Sequence, residues 1–239
     1  MSAEGSERVE ARLAELAERF GLTSAQREQL ATLLAAIEHD GHAPTAVREP
    51  ERAVDVHVAD SLVALELEPI RAAGVIADLG AGAGFPGLPL AVALPASEVH
   101  LLESSARKCE FLRDAASRLG LENVRVVWAR AEEWKDGGLA HDVVLARALA
   151  AQPVVLEYAA PLLREGGVLV DWRGRRLVAE EAAAERAAAE LGLRRMDILA
   201  TEPFAGARDH RLHVFEKIAL TPPRFPRRAG MARKRPLGR

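Results

Sequence analysis

In the stretch Val75-Ile-Ala-Asp-Leu-Gly-Ala-Gly-Ala-Gly-Phe-Pro-Gly87, an apolar run ends on Asp78, and glycines follow at positions 80, 82 and 84. Such a run reads as a buried strand feeding a tight turn into a helix. Glycines there let the backbone approach a ligand closely. Gly82, Gly84 and Gly87 also fit the G-x-G-x-x-G spacing of dinucleotide sites. Asp78 points elsewhere: a carboxylate at the strand tip repels a pyrophosphate and suits a ligand carrying an ammonium and a sulfonium. Pro86 and Pro89 interrupt the helix start that a dinucleotide would use. S-adenosylmethionine (SAM) is therefore the expected ligand, held by Asp78, Gly80, Gly82 and Gly84.

Other residues able to do chemistry fall just after apolar runs. Glu103 closes Val99-His-Leu-Leu and is placed to accept the two ribose hydroxyls of an adenosine, a role equally at home with NAD. Ala131 and Glu132 follow Val124-Arg-Val-Val-Trp-Ala129, where backbone groups could edge the adenine, or Glu132 could simply cap a helix. Arg147 ends Asp142-Val-Val-Leu-Ala146. An arginine among apolar residues at a strand tip needs an acceptor: a phosphate, a base edge, a ligand carboxylate or a structural salt bridge. It is expected to matter more for turnover than for folding. Arg173 and Arg175 add positive charge after the next run. His57 and Ser61 stand four apart before the first strand, on one helix face, either functional or merely packed.

Two absences narrow the acceptor. The stretch after the fourth strand, Ala146-Arg-Ala-Leu149, lacks the Asn/Asp-Pro-Pro-aromatic arrangement used on exocyclic amines. Methylation of a pyrimidine carbon needs a cysteine nucleophile. The sole cysteine, Cys109, falls on a predicted helix away from the strand ends, where a buried thiol is the expected role. Guanine N7 carries a free lone pair at neutral pH, so attack on a methyl requires positioning and no general base.

The elements that must position these residues alternate. Helical periodicity marks 7–20 and 24–38, and a further helix is expected over 56–67. Strands are expected at 75–79, 99–102, 124–129, 142–146, 167–172, 193–199 and 212–218, with helices at 87–94, 105–119, 153–163 and 176–191. Repeated strand–helix units imply an α/β fold with a parallel sheet covered on both faces. In such sheets ligands lie beyond the carboxyl ends of the strands.

With 239 residues, 49% of them hydrophobic, the chain can bury one core of ordinary size. The expected division is a helical extension over 1–52, a ligand-binding domain over 53–220 and a basic tail over 221–239. That tail holds Arg224, Arg227, Arg228, Arg233, Lys234, Arg235 and Arg239 and no acid, whereas the net charge of the whole chain is −3. It reads either as a polyanion-binding arm or as a solvated extension, in both cases without effect on cofactor binding. One cysteine excludes an internal disulfide and a Cys-rich metal centre, so no metal is expected. Without a signal peptide or a long apolar span, a soluble cytoplasmic protein is expected, with no membrane partner.

Together these residues resemble the bacterial small-subunit rRNA guanine-N7 methyltransferases, also called the glucose-inhibited division protein B family. The resembling stretches are His57-Val-Ala-Asp-Ser-Leu62, Asp78 through Leu90, Leu102 through Lys108, Arg130-Ala-Glu132, Ala146-Arg-Ala148 and Thr221 through Gly230. The resemblance implies a class I SAM-dependent methyltransferase with a Rossmann-like, mostly parallel sheet. It implies methyl transfer to N7 of a guanine in 16S rRNA, with free 16S rRNA or a small-subunit precursor as partner. It further implies contacts to SAM from Gly80, Phe85, Ala131, Glu132 and Arg147, with Ser105 beside Glu103, and a role for Arg147 in catalysis. His57, Ser61, Arg173, Arg175 and Arg211 are expected on the RNA side. The chain departs from the family at His39 through Ala46, at Arg173-Gly174 and at His210-Arg211. These departures leave two other readings open: a SAM enzyme retargeted to another RNA or a small molecule, and a weakly catalytic RNA-binding ribosome factor.

Overall fold

The computed structural model describes residues 3–40 and 43–238. Two amphipathic helices come first, α1 (Ala3–Phe20) and α2 (Ser24–His39). A capping box starts α2: Thr23 accepts from the Gln26 amide, and the Gln26 side chain accepts from the Thr23 amide. A composite helical run follows. It begins as α3 (Pro50–Ala53), widens into a π turn over Val54–Ala59, continues as α4 (Asp60–Leu62) and tightens to a 3-10 turn at Val63–Glu66. The single helix expected over 56–67 is thus longer and irregular. The wide turn carries His57 and the next residue is Asp60, both of which face the site described below.

After the short α5 (Glu68–Arg71), strand and helix alternate: β1 (Val75–Leu79), α6 (Gly87–Ala93), β2 (Glu98–Glu103), α7 (Ala106–Arg118), β3 (Val124–Trp128), β4 (His141–Arg147), α8 (Gln152–Ala159) and β5 (Leu163–Arg173). Then come α9 (Val178–Leu191), β6 (Leu193–Thr201), β7 (His210–Lys217) and α10 (Met231–Lys234). Helix α8 stops short of the expected residue 163: Ala160 still has helical backbone, but Pro161 has no amide hydrogen to continue the bonding, and Leu163 already begins β5.

The seven strands lie in the order β3-β2-β1-β4-β5-β7-β6. Strands β1 to β5 pair in parallel, while β7 runs against both β5 and β6. Strands β6 and β7 are joined without a helix, so they form a hairpin that supplies the antiparallel edge of the expected mostly parallel sheet.

Alternation along the strands supplies two cores. Ile76, Leu101, Val143, Leu145 and Val170 face one side, beneath α1, α2, α6 and α7. Ala77, Leu102, Val144, Ala146 and Leu169 face the other, beneath α8 and α9. Leu13, Leu16, Leu30, Leu33 and Ile37 of the first two helices are fully buried in the first core. The N-terminal extension is therefore a layer of the same globule. The C-terminal segment is equally committed: Phe225 and Ala232 are buried in the second core.

Candidate functional site

Gly80, Gly82 and Gly84 all adopt left-handed backbone, with φ of +69°, +57° and +89°. That choice lets the chain turn sharply off β1 and return beneath it. The Gly80 and Ala81 amides bond to the Leu102 carbonyl, which pins the turn to β2. A Cβ on Gly84 would sit 2.3 Å from Leu88, and one on Gly80 would sit 2.6 Å from Leu149. The loop is a cradle that side chains would fill.

Asp78 does not line the cleft. It is 1% exposed and lies under the loop, where its Oδ2 accepts the Gly87 amide at 2.9 Å. Burial pushes its carboxyl up to about 7, against the smaller opposing pull of that amide and of Arg147. The expected direct contact with a cationic ligand is corrected accordingly: Asp78 anchors the first turn of α6. This still disfavours a dinucleotide, by another route, since the amide at that helix start already holds a carboxylate.

Glu103 shapes the neighbouring wall. Its Oε1 accepts the Ser105 amide at 2.8 Å and its Oε2 the Gly82 amide at 3.2 Å, so it ties the glycine loop to the end of β2. Ser105 serves through its backbone, and Ser104 lines the pocket in its place. Cys109 lies behind, its buried thiol donating to the Glu103 carbonyl at 3.3 Å; burial raises the thiol pKa. The pocket is walled by Gly80, Leu102, Ala131, Glu132, Leu149 and Tyr158, joined by Gly230 and Arg233 from the C-terminal segment. Gly80, Ala131 and Glu132 were expected there. Tyr158, Gly230 and Arg233 were not, because each reaches the site by a long-range contact.

Arg147 is committed to the protein. Its Nη1 donates to Asp60 Oδ2 at 2.9 Å and to the Val56 carbonyl at 3.3 Å, and its guanidinium lies 5.5 Å from the Phe85 ring centroid. His210 bonds the other oxygen of Asp60 at 2.9 Å. Trp172 donates to the Asp60 carbonyl at 2.8 Å. Asp60, 5% exposed, is the hub that the sequence reading passed over, although it lies inside the quoted His57–Leu62 stretch. The following residue, Ala148, is held at φ +53°, a strained conformation for a residue with a Cβ.

His57 stacks on Phe85 with ring centroids 4.6 Å apart, and its Nε2 meets Thr45 Oγ1 and the Val47 carbonyl. Burial, then Arg147, lowers its pKa to about 4, so the ring is neutral. Phe85 is itself buried, as a platform under Arg147 and His57. Ser61 is fully buried and donates back to the His57 carbonyl, a contact within its own helix. Its expected place on an RNA surface is corrected: no part of Ser61 reaches solvent.

Beside Arg147 opens a second, wider cavity of ≈ 670 Å³. Arg173, Arg175, Arg176, Arg208 and Arg211 line it. Arg173 donates to the Ala150 carbonyl and lies near Asp171 and Glu180, Arg176 pairs with Glu181, and Arg211 pairs with Asp209. Arg175 and Arg208 make no hydrogen bond or ion pair among the described residues. His213, 3% exposed, also faces this cavity, with Nε2 unpartnered.

The two cavities lie on either side of the end of β4: Arg147 and Ala148 line the wider one and Leu149 the other. The first is a small pocket that runs from Gly80 past Ser104 and Ala131 to Glu132 and Tyr158. The second is cationic and suits a polyanion.

Comparisons with known proteins agree with this geometry. The profile of the GidB family, described as rRNA small subunit methyltransferase G, matches residues 13–203. The chain is 44% identical over 216 residues to Ribosomal RNA small subunit methyltransferase G of Rubrobacter xylanophilus, covering 88% of this chain and 82% of that protein. It is 39% identical over 196 residues to the protein of the same name from Desulfitobacterium hafniense, covering 81% of each. Among solved structures, a SAM-dependent methyltransferase from Aquifex aeolicus superposes with TM-score 0.55 at 14% identity, over 70% of this chain and 93% of that one. Aeropyrum pernix fibrillarin, solved with natively bound SAM, gives TM-score 0.52 at 18% identity, over 66% and 72%.

Proposed function

Because the chain belongs to the rRNA small subunit methyltransferase G family, we propose that it transfers a methyl group from SAM to N7 of a guanine in 16S rRNA. The observation that carries this reading is the pair of cavities flanking the end of β4, one bounded by Gly80, Ala131 and Glu132 and the other lined with arginines. SAM supplies an electrophilic methyl on a sulfonium.

The residues of this chain do the rest by positioning. Gly80, Gly82 and Gly84 bring backbone against the ligand. Glu103 fixes the loop through Gly82 and presents a carboxylate edge to the ribose. Ala131 and Glu132 bound the adenine. Arg147, clamped by Asp60, forms the boundary between cofactor and target base. Arg173, Arg175 and Arg211 are assigned to RNA phosphate, to which the unpaired Arg208 is added; Arg175 and Arg208 carry the charge left free for it.

Two histidines lie near Arg147: His57 is neutral, with Nε2 bonded to Thr45 and Val47 and Nδ1 buried without a partner among the described residues, and His210 bonds Asp60 through Nδ1. Guanine N7 needs neither as a base, since its lone pair attacks without losing a proton. Retargeting, or a weakly catalytic RNA-binding role, was suggested by the altered 39–46 segment. Gly41 and His42 lie outside the described residues, while Thr45 supports His57 within the site. The extent of the family match favours the 16S reading. A cytoplasmic location, with 16S rRNA or a subunit precursor as partner, accompanies it.

Mass mapping of N7-methylguanosine in 16S rRNA, with and without this gene, tests the proposal. The expected result is one guanine that loses its methyl group in the deletion strain and regains it on complementation. An unchanged methylation map would overturn the assignment.

A further inference from the structure

The C-terminal segment is expected from sequence to stand apart from the cofactor, yet two of its residues line the pocket. Glu132 Oε1 receives two donors, the Tyr158 hydroxyl at 3.0 Å and the Gly230 amide at 2.9 Å. Its Oε2 makes no hydrogen bond among the described residues. Arg233 donates to the Leu149 carbonyl at 3.1 Å, and its charge opposes the rise of the Tyr158 pKa that burial and Glu132 cause. Leu149 in turn covers Gly80 of the glycine loop.

The segment is firmly seated. Arg227 grips Glu157 with its backbone amide at 3.0 Å and with two guanidinium nitrogens, and Glu157 is fully buried. Phe225 and Ala232 pack into the core, and Arg186 holds the Gly238 carbonyl. Glu157 directly precedes Tyr158 on α8, so the anchor and the pocket wall share one helix.

We propose that residues 225–235 form a strap that makes the pocket selective for adenine: Gly230 and Arg233 position Glu132 and Tyr158 so that one carboxylate oxygen faces the purine 6-position. The proposal rests on reading this pocket as the SAM site. With Oε1 saturated by the strap and Tyr158, Oε2 is the acceptor left for a ligand. An exocyclic amine donates to it. A 6-oxo purine sets a carbonyl oxygen against it, leaving two acceptors face to face. Released from the strap, Glu132 loses a fixed orientation, and discrimination falls although the glycine cradle remains.

The test is calorimetric binding of S-adenosylhomocysteine and of its deaminated analogue S-inosylhomocysteine to the full chain and to variants. The full chain is expected to prefer the adenosyl compound by roughly tenfold or more. Arg233→Ala and Tyr158→Phe are each expected to bring the ratio several-fold closer to one, chiefly by weakening the adenosyl compound, with a melting temperature near that of the parent. Arg233→Lys, which keeps a donor for the Leu149 carbonyl, is expected to recover part of the ratio. Truncation after Thr221 leaves Glu157 buried without its partner and unfolds for that reason alone, so the point variants decide. An unchanged ratio in Arg233→Ala, or no preference in the full chain, overturns the strap's role while leaving the cofactor assignment intact. Failure of both compounds and of SAM to bind removes the cofactor reading itself, and the proposal with it.

Discussion

Arg147 and Asp60 hold each other in place, and this changes what a substitution at Arg147 tests. From its strand-tip position the arginine is expected to matter more for turnover than for folding. In the folded protein it neutralises a carboxylate that is 5% exposed and otherwise has only His210. Arg147→Ala is therefore expected to cost about 1–3 kcal/mol of stability as well as activity. Chemical denaturation of the variant beside Asp60→Asn/Arg147→Ala checks this: the double variant should recover part of the loss, because no buried charge remains unpaired. A single variant as stable as the parent would return Arg147 to a purely functional role. A second residue-scale expectation concerns pH. Asp171 and His213 both contact Gln152 in the buried layer beneath the arginine-lined cavity. Burial pushes Asp171 up to about 7 and His213 down to about 4. A raised carboxyl favours the fold below its ordinary value near 4 and loses that contribution as pH rises through 7; a lowered histidine favours the fold above about 6.5 and loses it as pH falls through 4. The two slopes oppose each other. Asp171→Asn removes the first, so its melting temperature is expected to climb relative to the parent between pH 4 and 7. A difference that stays flat over that range would show that Asp171 is solvated after all.

At the scale of elements, what was legible was what is local. The strands β1 to β5 and the helices after them follow from apolar runs bounded by turn residues, and Gly80, Ala131 and Glu132 follow from lying just past strand ends. The reversed β7, the π turn at Val54–Ala59 and the early end of α8 depend on tertiary pairing and on a single proline. The contact of Asp78 is not legible in the sequence, because a strand tip can turn its side chain beneath a loop as readily as toward a ligand. The glycine loop separates two kinds of requirement. Gly84 has no room, with Leu88 at 2.3 Å from an added Cβ, whereas Gly82 meets only the Gly80 carbonyl at 3.6 Å. Both carry positive φ, and so both substitutions are strained by about 1 kcal/mol. Gly84→Ala adds a clash inside the loop–α6 packing and is expected to lower the melting temperature clearly more than Gly82→Ala. Thermal unfolding of the pair reads this directly, and equal losses would mean that Leu88 moves aside freely.

Over the whole molecule, charge and core are arranged around the carboxyl edge of the sheet. The N-terminal helices close one face and the C-terminal strap closes the other, so both ends of the described chain are built into the globule. Composition showed the basic tail and nothing of its docking, since the acids that receive it, Glu157 and Glu190, lie far upstream in sequence. Among its cations, Arg224, Arg227 and Arg233 are engaged with the body, which leaves fewer for a polyanion than the bare count suggests. Cys109 gives this architecture a chemical clock. It is the sole thiol in 239 residues, it is fully buried, and its hydrogen bond ends on Glu103, the residue that ties the glycine loop to β2. A thiol reagent can therefore modify the native protein at one atom only, and only during excursions that uncover the start of α7 behind Glu103. The alkylation rate, followed by intact mass, counts those excursions. Saturating SAM is expected to slow it by a factor of up to one plus the ratio of SAM concentration to Kd, and inorganic phosphate at the arginine-lined cavity to leave it unchanged. A rate indifferent to SAM would mean that the thiol is exposed by a motion that leaves the pocket intact.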